Sequence, residues 1–294
     1  MHPHRIGSLT VDRIEEMSQN FPLRMGFADA TASDLAALKA WYKNEPLAEE
    51  LESAQLALSV HSFVLRSGRH NILIDSCNGN DKPREVPFAN MLNSSYLERL
   101  AQIDLQPEDI DLVLCTHLHC DHVGWNTRLR DGRWVPTFPN ARYLFGRADV
   151  DFFASHPNEF LHSAAFADSV QPVLDAGQAD LVDTGHVVEK ELAGGVWLES
   201  ASGHSPGSYV VHAQSGGHHG IFSGDVFHHP IQLARPSLSF IGDFDVAAAR
   251  ETRRQLFEKH ADTATVFYPA HFAAPTAGRI ASAADGFRYE FIAR

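Results

Sequence analysis

Basic charge is what this 294-residue sequence is short of. It carries 24 Lys and Arg against 37 Asp and Glu, a formal net charge of −13 at neutral pH. A nucleic-acid surface needs clustered cations, so a nucleic-acid partner is excluded. Long apolar runs are missing too. No stretch approaches the roughly 18 uninterrupted apolar residues that span a bilayer, so no membrane partner is expected. The opening "MHPHRIGSLTVDRIEEM" lacks a basic segment followed by an apolar run, so no signal peptide is read there and the expected location is cytoplasmic. Cysteine is scarce. Cys77, Cys115 and Cys120 form no C-x-x-C pair, which argues against a disulfide framework. Repeats, low-complexity tracts and a clear linker are absent as well. Residues 1–294 are therefore read as a single domain, with residues 1–55 as an N-terminal extension that packs on it or on a partner subunit.

Histidine is what the sequence has in excess, with 18 in all. Imidazole titrates near neutrality and is the commonest metal ligand, so position has to decide between a site and a dispersed surface. The stretch "CTHLHCDHVGW", residues 115–125, puts His117, His119, Asp121 and His122 within six positions. It follows "PEDIDLVLCT", which reads as a buried strand. Alternate residues of an extended segment point the same way. His117 and His119 can thus reach one ion while Asp121 and His122 turn toward a second. Cys120, between them, is read as a small packing residue.

The rest of the chain reads as β, then α, then β, then α. "SDLAALKAWY" and "LAEELESAQL" suggest short helices, the first capped by Ser33. "ALSVHSFVLRSG" and "RHNILIDSC" form a hairpin turning at Ser67-Gly68. "SSYLERLAQI" reads as a helix capped by Ser94 or Ser95, and "ARYLFG" as a strand. Residues 147–178 look helical with an aromatic-rich interruption, and three short strands fill 194–225. "VAAARETRRQLFEKHA" has apolar residues at helical spacing, and "ATVFYPAH" and "GFRYEFI" close the chain as strands. Two packed sheets with helices outside, an αββα sandwich of the α/β class, suit this order better than repeated βαβ units. His204 in "SGHSPGS", Asp225 in "FSGDVFHH" and His271 in "YPAHF" each stand where a strand stops, which is where functional side chains gather.

H-x-H-x-D-H followed by G-H-S-P-G, S-G-D and P-A-H, in that order from about Ala57 onward, resembles the metallo-β-lactamase-fold hydrolases. The resemblance implies two mixed sheets in an αββα sandwich and a dinuclear centre of two divalent ions, usually Zn2+. It implies that His117, His119 and His204 hold one ion, that Asp121, His122 and His271 hold the other, and that Asp225 bridges them. Asp75, at the end of "NILIDS", matches an aspartate that orients a ligand histidine.

Departures within the family narrow the activity. The oxygen-reducing branch prefers a carboxylate where His119 stands. The β-lactamases lack the bridge at Asp225, which the lactonase, glyoxalase II and phosphoesterase branches keep. Hydrolysis of a lactone or related carboxylic ester is the leading expectation, with Asp121 also moving protons. Acyl-homoserine-lactone hydrolases commonly carry Tyr three residues after the bridging Asp. Here that residue is His228, a candidate hydrogen-bond donor or general acid together with His229. "SGDVFHHPIQLARPSL" resembles the organophosphate and aryl-ester hydrolases, so that activity is the alternative. A glyoxalase-II-like thioesterase and a non-catalytic metal-binding protein rank below. Trp125, Phe152, Phe153, Phe160, Phe166 and Phe227 are candidate walls for an apolar acyl or aryl group, although the helical spacing at Phe166 favours core. A homodimer is expected because relatives of this fold often pair.

Overall fold

A computed structural model describes residues 3–156, 163–189 and 194–292. Its strands begin with β1 (His4–Ile6), β2 (Leu9–Pro22), β3 (Gln55–Arg66), β4 (Asn71–Ile74) and β5 (Leu112–Leu114). A small hairpin, β6 (Thr127–Arg130) and β7 (Arg133–Pro136), precedes β8 (Arg142–Gly146) and β9 (Ala179–Val182). Next come β10 (Val187–Glu189), β11 (Gly194–Ser200), β12 (Tyr209–Ser215) and β13 (His218–Phe222). The last three are β14 (Val266–Tyr268), β15 (Gly278–Ala283) and β16 (Gly286–Phe291). One seven-stranded sheet has the order β1-β2-β3-β4-β5-β8-β9, and the second runs β10 to β16 in sequence. Both are mixed: β4, β5, β8 and β9 are parallel neighbours, as are β13 and β14.

The period-two alternation of strands sorts side chains into three layers. Ile72 and Ile74 of β4 enter the inter-sheet core beside Leu198 and Val211, while Leu73 turns outward to Tyr96 and Val173. On β12, Val211 faces inward and Val210 faces out toward Leu256 and Phe257 of the helix Val246–His260. The result is the expected αββα sandwich. The helix Val246–His260 is capped by Asp245, whose carboxylate accepts from Ala247 N and Ala248 N at 3.0 Å each. It buries Ala249, Arg253, Leu256, Phe257 and His260, one stripe at helical spacing. None of the described helices is long and apolar enough to cross a membrane.

The N-terminal 55 residues depart from the sequence reading. Residues 9–22, given no element there, form a 14-residue strand that pairs antiparallel with β3. Its alternation is hidden by a register shift between Glu15 and Met17. Leu9 and Val11 face the inter-sheet core, whereas Ile14 and Met17 face the outer layer, so no single period runs through the segment. A single helical turn, Leu23–Gly26, and the helix Ala32–Trp41 follow. Thr31, not Ser33, caps the latter: Asp34 N donates to Thr31 Oγ1 and Asp34 Oδ2 accepts from Thr31 N at 2.7 Å. "LAEELESAQL" keeps only a tight turn at Leu51–Ser53, because its end joins the long β2–β3 ladder, which outweighs local helix propensity. Ser95 leads the helix Tyr96–Ala101 without a side-chain cap bond, and Ser94 Oγ donates instead to Glu16 at 3.1 Å. Leu23, Phe27, Leu35, Leu38 and Leu51 pack on Ile231 and Leu238 of the same chain.

Candidate metal centre

The turn after β5 positions the histidine cluster. Thr116 N donates to Asp75 Oδ1 at 2.7 Å, and Asp75 N donates to Leu114 O at 2.9 Å, which staples the ends of β4 and β5 together. A short helix, Cys120–Val123, then aims His122 inward. Gly124 follows where a Cβ would lie 1.8 Å from Asn78 O, so no side chain fits. The other segments arrive from the second sheet: His204 between β11 and β12, Asp225 after β13, His271 after β14.

All seven expected residues, and His228, come together, and all but the half-exposed Asp121 are buried. Asp225 lies at the middle. Its Oδ1 is 3.3 Å from His122 Nε2 and 3.1 Å from His271 Nε2; its Oδ2 is 3.2 Å from His204 Nε2, 3.1 Å from His228 Nε2 and 3.7 Å from His117 Nε2. On one side, ring nitrogens of His117, His119 and His204 lie within 4.8 Å of one another. On the other, Asp121, His122 and His271 do the same. His119 turns Nδ1 inward, 3.0 Å from His204 Nε2.

The donor chemistry of the rings tests whether these residues suit a divalent ion. His271 Nδ1 faces Ser59 O at 3.0 Å and must donate to it, which leaves its Nε2 lone pair aimed at the centre. His122 Nδ1 meets Asp75 Oδ2 at 2.9 Å, and His204 Nδ1 meets Asp243 Oδ1 at 3.0 Å. Each carboxylate takes a ring N–H on the far side and fixes the tautomer with a free lone pair inside. With two carboxylates besides, the set fits one or two divalent ions. Charge agrees. Burial opposes ionisation of Asp225, yet His271, His122, His228 and His204 hold its carboxyl well below the ordinary range. Burial also opposes protonation of His204, but Asp225 and Asp243 raise it to about 9, so without an ion its Nε2 carries a proton that a bound cation would displace.

His228 and His229 part company. His228 is pushed down to about 4 by burial, against the pull of Asp225, and lies flat on Phe240 at 3.7 Å between ring centres. His229 turns away, 2.9 Å from Glu45 Oε1 of the N-terminal segment, and takes no part in the cluster. Cys120 packs in the core and belongs to none of the ligand groups found among the described residues. Burial, then Asp121, raises its thiol to about 12.

The aromatic expectations need correction. Trp125 and Phe227 are core residues, and so is Phe166, as its helical spacing favoured; Trp125 stacks on Tyr96 and donates Nε1–H to Glu16 at 2.6 Å. Phe153 does flank His119, at 6.1 Å, and Phe152 packs on exposed Phe244 at 4.9 Å. Phe160 lies outside the described residues. Phe240, Asp243, Asp149 and Arg253 were not singled out. Asp149 ties the loops of His117–His119 and His204 together: it accepts from Leu118 N at 3.1 Å, Ser205 Oγ at 2.8 Å and Gly207 N at 2.6 Å. A carboxylate serving distant loops leaves no spacing in the sequence to find it by.

Fold and site together define a class: an αββα sandwich with a histidine–carboxylate centre at its strand ends. Residues 56–271 match the family model described as the Metallo-beta-lactamase superfamily, and the chain belongs to that superfamily. Among solved structures it is similar to the hydrolase AbOPH in the beta lactamase superfamily, with 23% identity and TM-score 0.81 over 100% of this chain and 97% of that one. It is also similar to AidC, a dizinc quorum-quenching lactonase solved with a product, with 19% identity and TM-score 0.75 over 99% and 97% of the two chains. N-acyl homoserine lactonase AiiB of Rhizobium rhizogenes (strain K84) is 30% identical over 92 residues, 27% of this chain. That match spans 33% of the lactonase's length.

Proposed function

We propose that this chain is a metal-dependent hydrolase that cleaves a lactone or a related carboxylic ester. The observation that carries the reading is Asp225 set between two ligand triads whose rings are fixed from behind. His117, His119 and His204 would hold one ion, and Asp121, His122 and His271 a second, with Asp225 shared; nitrogen and carboxylate donors without a thiolate suit Zn2+. Bound ions supply a more acidic water and polarisation of the scissile carbonyl. The remaining work falls to the chain. Half-exposed Asp121, 3.5 Å from His271 Nε2, stands at the mouth and can carry a proton between the centre and solvent. His228, packed flat under Phe240, presents Nε2 to Asp225 and serves as donor to a leaving oxygen. Phe152, Phe244 and Ile241 offer apolar surface for an acyl or aryl group, and the AidC and AiiB names support the lactone within this class.

A second reading, a phosphotriester or aryl ester as substrate, is favoured by His228 at the place where acyl-homoserine-lactone hydrolases carry Tyr. Turnover of a lactone, an aryl ester and a phosphotriester by metal-analysed protein separates the two. Asp225→Ala and His119→Ala should lose turnover together with bound metal. Full activity after exhaustive metal removal would refute the proposal.

A further inference from the structure

We infer that Arg253 and Asp243 are positioning residues for the candidate metal centre; this rests on the reading of His204 as a ligand. Arg253 is among the largest fully buried side chains. It projects from the helix Val246–His260 into the loops that carry the site. Its Nε donates to Val226 O, next to Asp225, at 2.7 Å. Its Nη1 donates to Pro236 O at 2.9 Å and Leu238 O at 2.6 Å, and its Nη2 lies 3.5 Å from Asp243 Oδ2. The Asp243 side chain is equally buried and divides its two oxygens. Oδ1 faces His204 Nδ1 at 3.0 Å, while Oδ2 accepts from Phe240 N at 3.0 Å. Phe240 is the ring on which His228 lies. One ion pair therefore sets the tautomer and pitch of His204, the loop of Asp225, and the ring under His228.

The same helix grips the His204 loop directly. Thr252 Oγ1 donates to Ser202 O at 2.8 Å, and Asp245 N donates to Gly203 O at 2.8 Å. Gly203, at φ +135°, comes so close that a Cβ would lie 2.3 Å from Ala249 N. A buried ion pair is poor value for stability alone, since an apolar pair of similar size often folds as well. What an apolar pair cannot supply is an acceptor for His204 Nδ1–H and donors for three loop carbonyls.

The test is Zn2+ titration against a chelating dye for wild type, Asp243→Asn and Asp243→Ala, with 15N shifts of the His204 ring in the metal-free proteins. Asp243→Asn keeps shape but must turn its amide NH2 either toward His204 Nδ1 or toward both Phe240 N and Arg253, so it cannot accept from every partner. We expect affinity for one ion to fall about 10- to 100-fold, the scale for losing a residue that holds a ligand histidine. The second ion should bind as before, and the signal of a hydrogen-bonded Nδ1–H on His204 should disappear in Asp243→Ala. Asp34→Asn is the structural control. It breaks the ion pair of Asp34 with Arg235, 2.6 Å long, which braces the same loop without touching a ligand histidine. It should lower the unfolding midpoint and leave Zn2+ affinity unchanged. Folded Asp243 variants with wild-type affinity and an unaltered His204 shift would overturn the inference. A wild type that binds no Zn2+ would instead refute the metal reading, and the His204 shift in Asp243→Ala would then decide the positioning role by itself.

Discussion

Far from the metal centre, His212, His219 and His260 gather between the second sheet and its helix, and they make stability depend on pH. The rings of His212 and His219 stack nearly parallel on Trp197, with centres 4.8 and 5.8 Å from it. His212 Nδ1 and His219 Nε2 are 2.9 Å apart, and Glu199 lies 3.1 Å from His212 Nε2. Burial pushes His212 from its ordinary 6.5 down to about 4; Glu199 pulls the other way, while His219, Lys259 and His260 add to the fall. Glu199 is half-exposed and its pull is screened. Between those two pH values the unfolded chain binds a proton that the folded chain refuses. Stability is fully present above 6.5 and is lost as pH falls from 6.5 toward 4. At about 1.4 kcal/mol per pH unit, the loss through His212 comes to about 3 kcal/mol. His212→Phe keeps a ring on Trp197 and removes the titration. Urea unfolding in chelator from pH 7.5 to pH 4 should show wild type losing about 3 kcal/mol more than the variant, whatever their difference at pH 7.5. Curves that run parallel through the whole range would refute the reasoning.

Other changes have equally definite outcomes. Cys120→Ala should keep its full complement of metal and its turnover, because the thiol packs in the core rather than ligating; metal analysis after dialysis checks this. Glu16→Ala should cost about 2–4 kcal/mol, read as a fall in unfolding midpoint, because the buried carboxylate accepts from Asn78 N, Gly79 N, Ser94 Oγ and Trp125 Nε1. Gly124→Ala should fail to give soluble protein, since its Cβ would overlap Asn78 O; wild-type yield and midpoint would contradict the packing described.

The candidate site was legible where its residues are close in sequence. His117, His119, Asp121 and His122 announce themselves by spacing, and His204, Asp225 and His271 stand at strand ends that hydrophobic patterning locates. Asp243, Asp149 and Arg253 were illegible because each acts across loops 15 to 58 residues away in the chain, so no local pattern holds them. The N-terminal strand was lost for a different reason. The extra residue at Glu16 breaks the period of two and swings a carboxylate inward under Trp125, so a strand reads as an irregular polar segment. The adjacent histidines His228 and His229 show the limit of composition: one faces Asp225 and the other Glu45, and only the course of the backbone decides which.

Each ligand triad draws on both layers of the sandwich. His117 and His119 follow β5 of the first sheet while His204 follows β11 of the second, and Asp121 and His122 follow β5 while His271 follows β14 of the second. On the proposed reading, bound ions act as rivets through the seam. Shear of one sheet over the other would stretch both triads at once, so the resistance of the whole domain to sliding would depend on the free concentration of the ion.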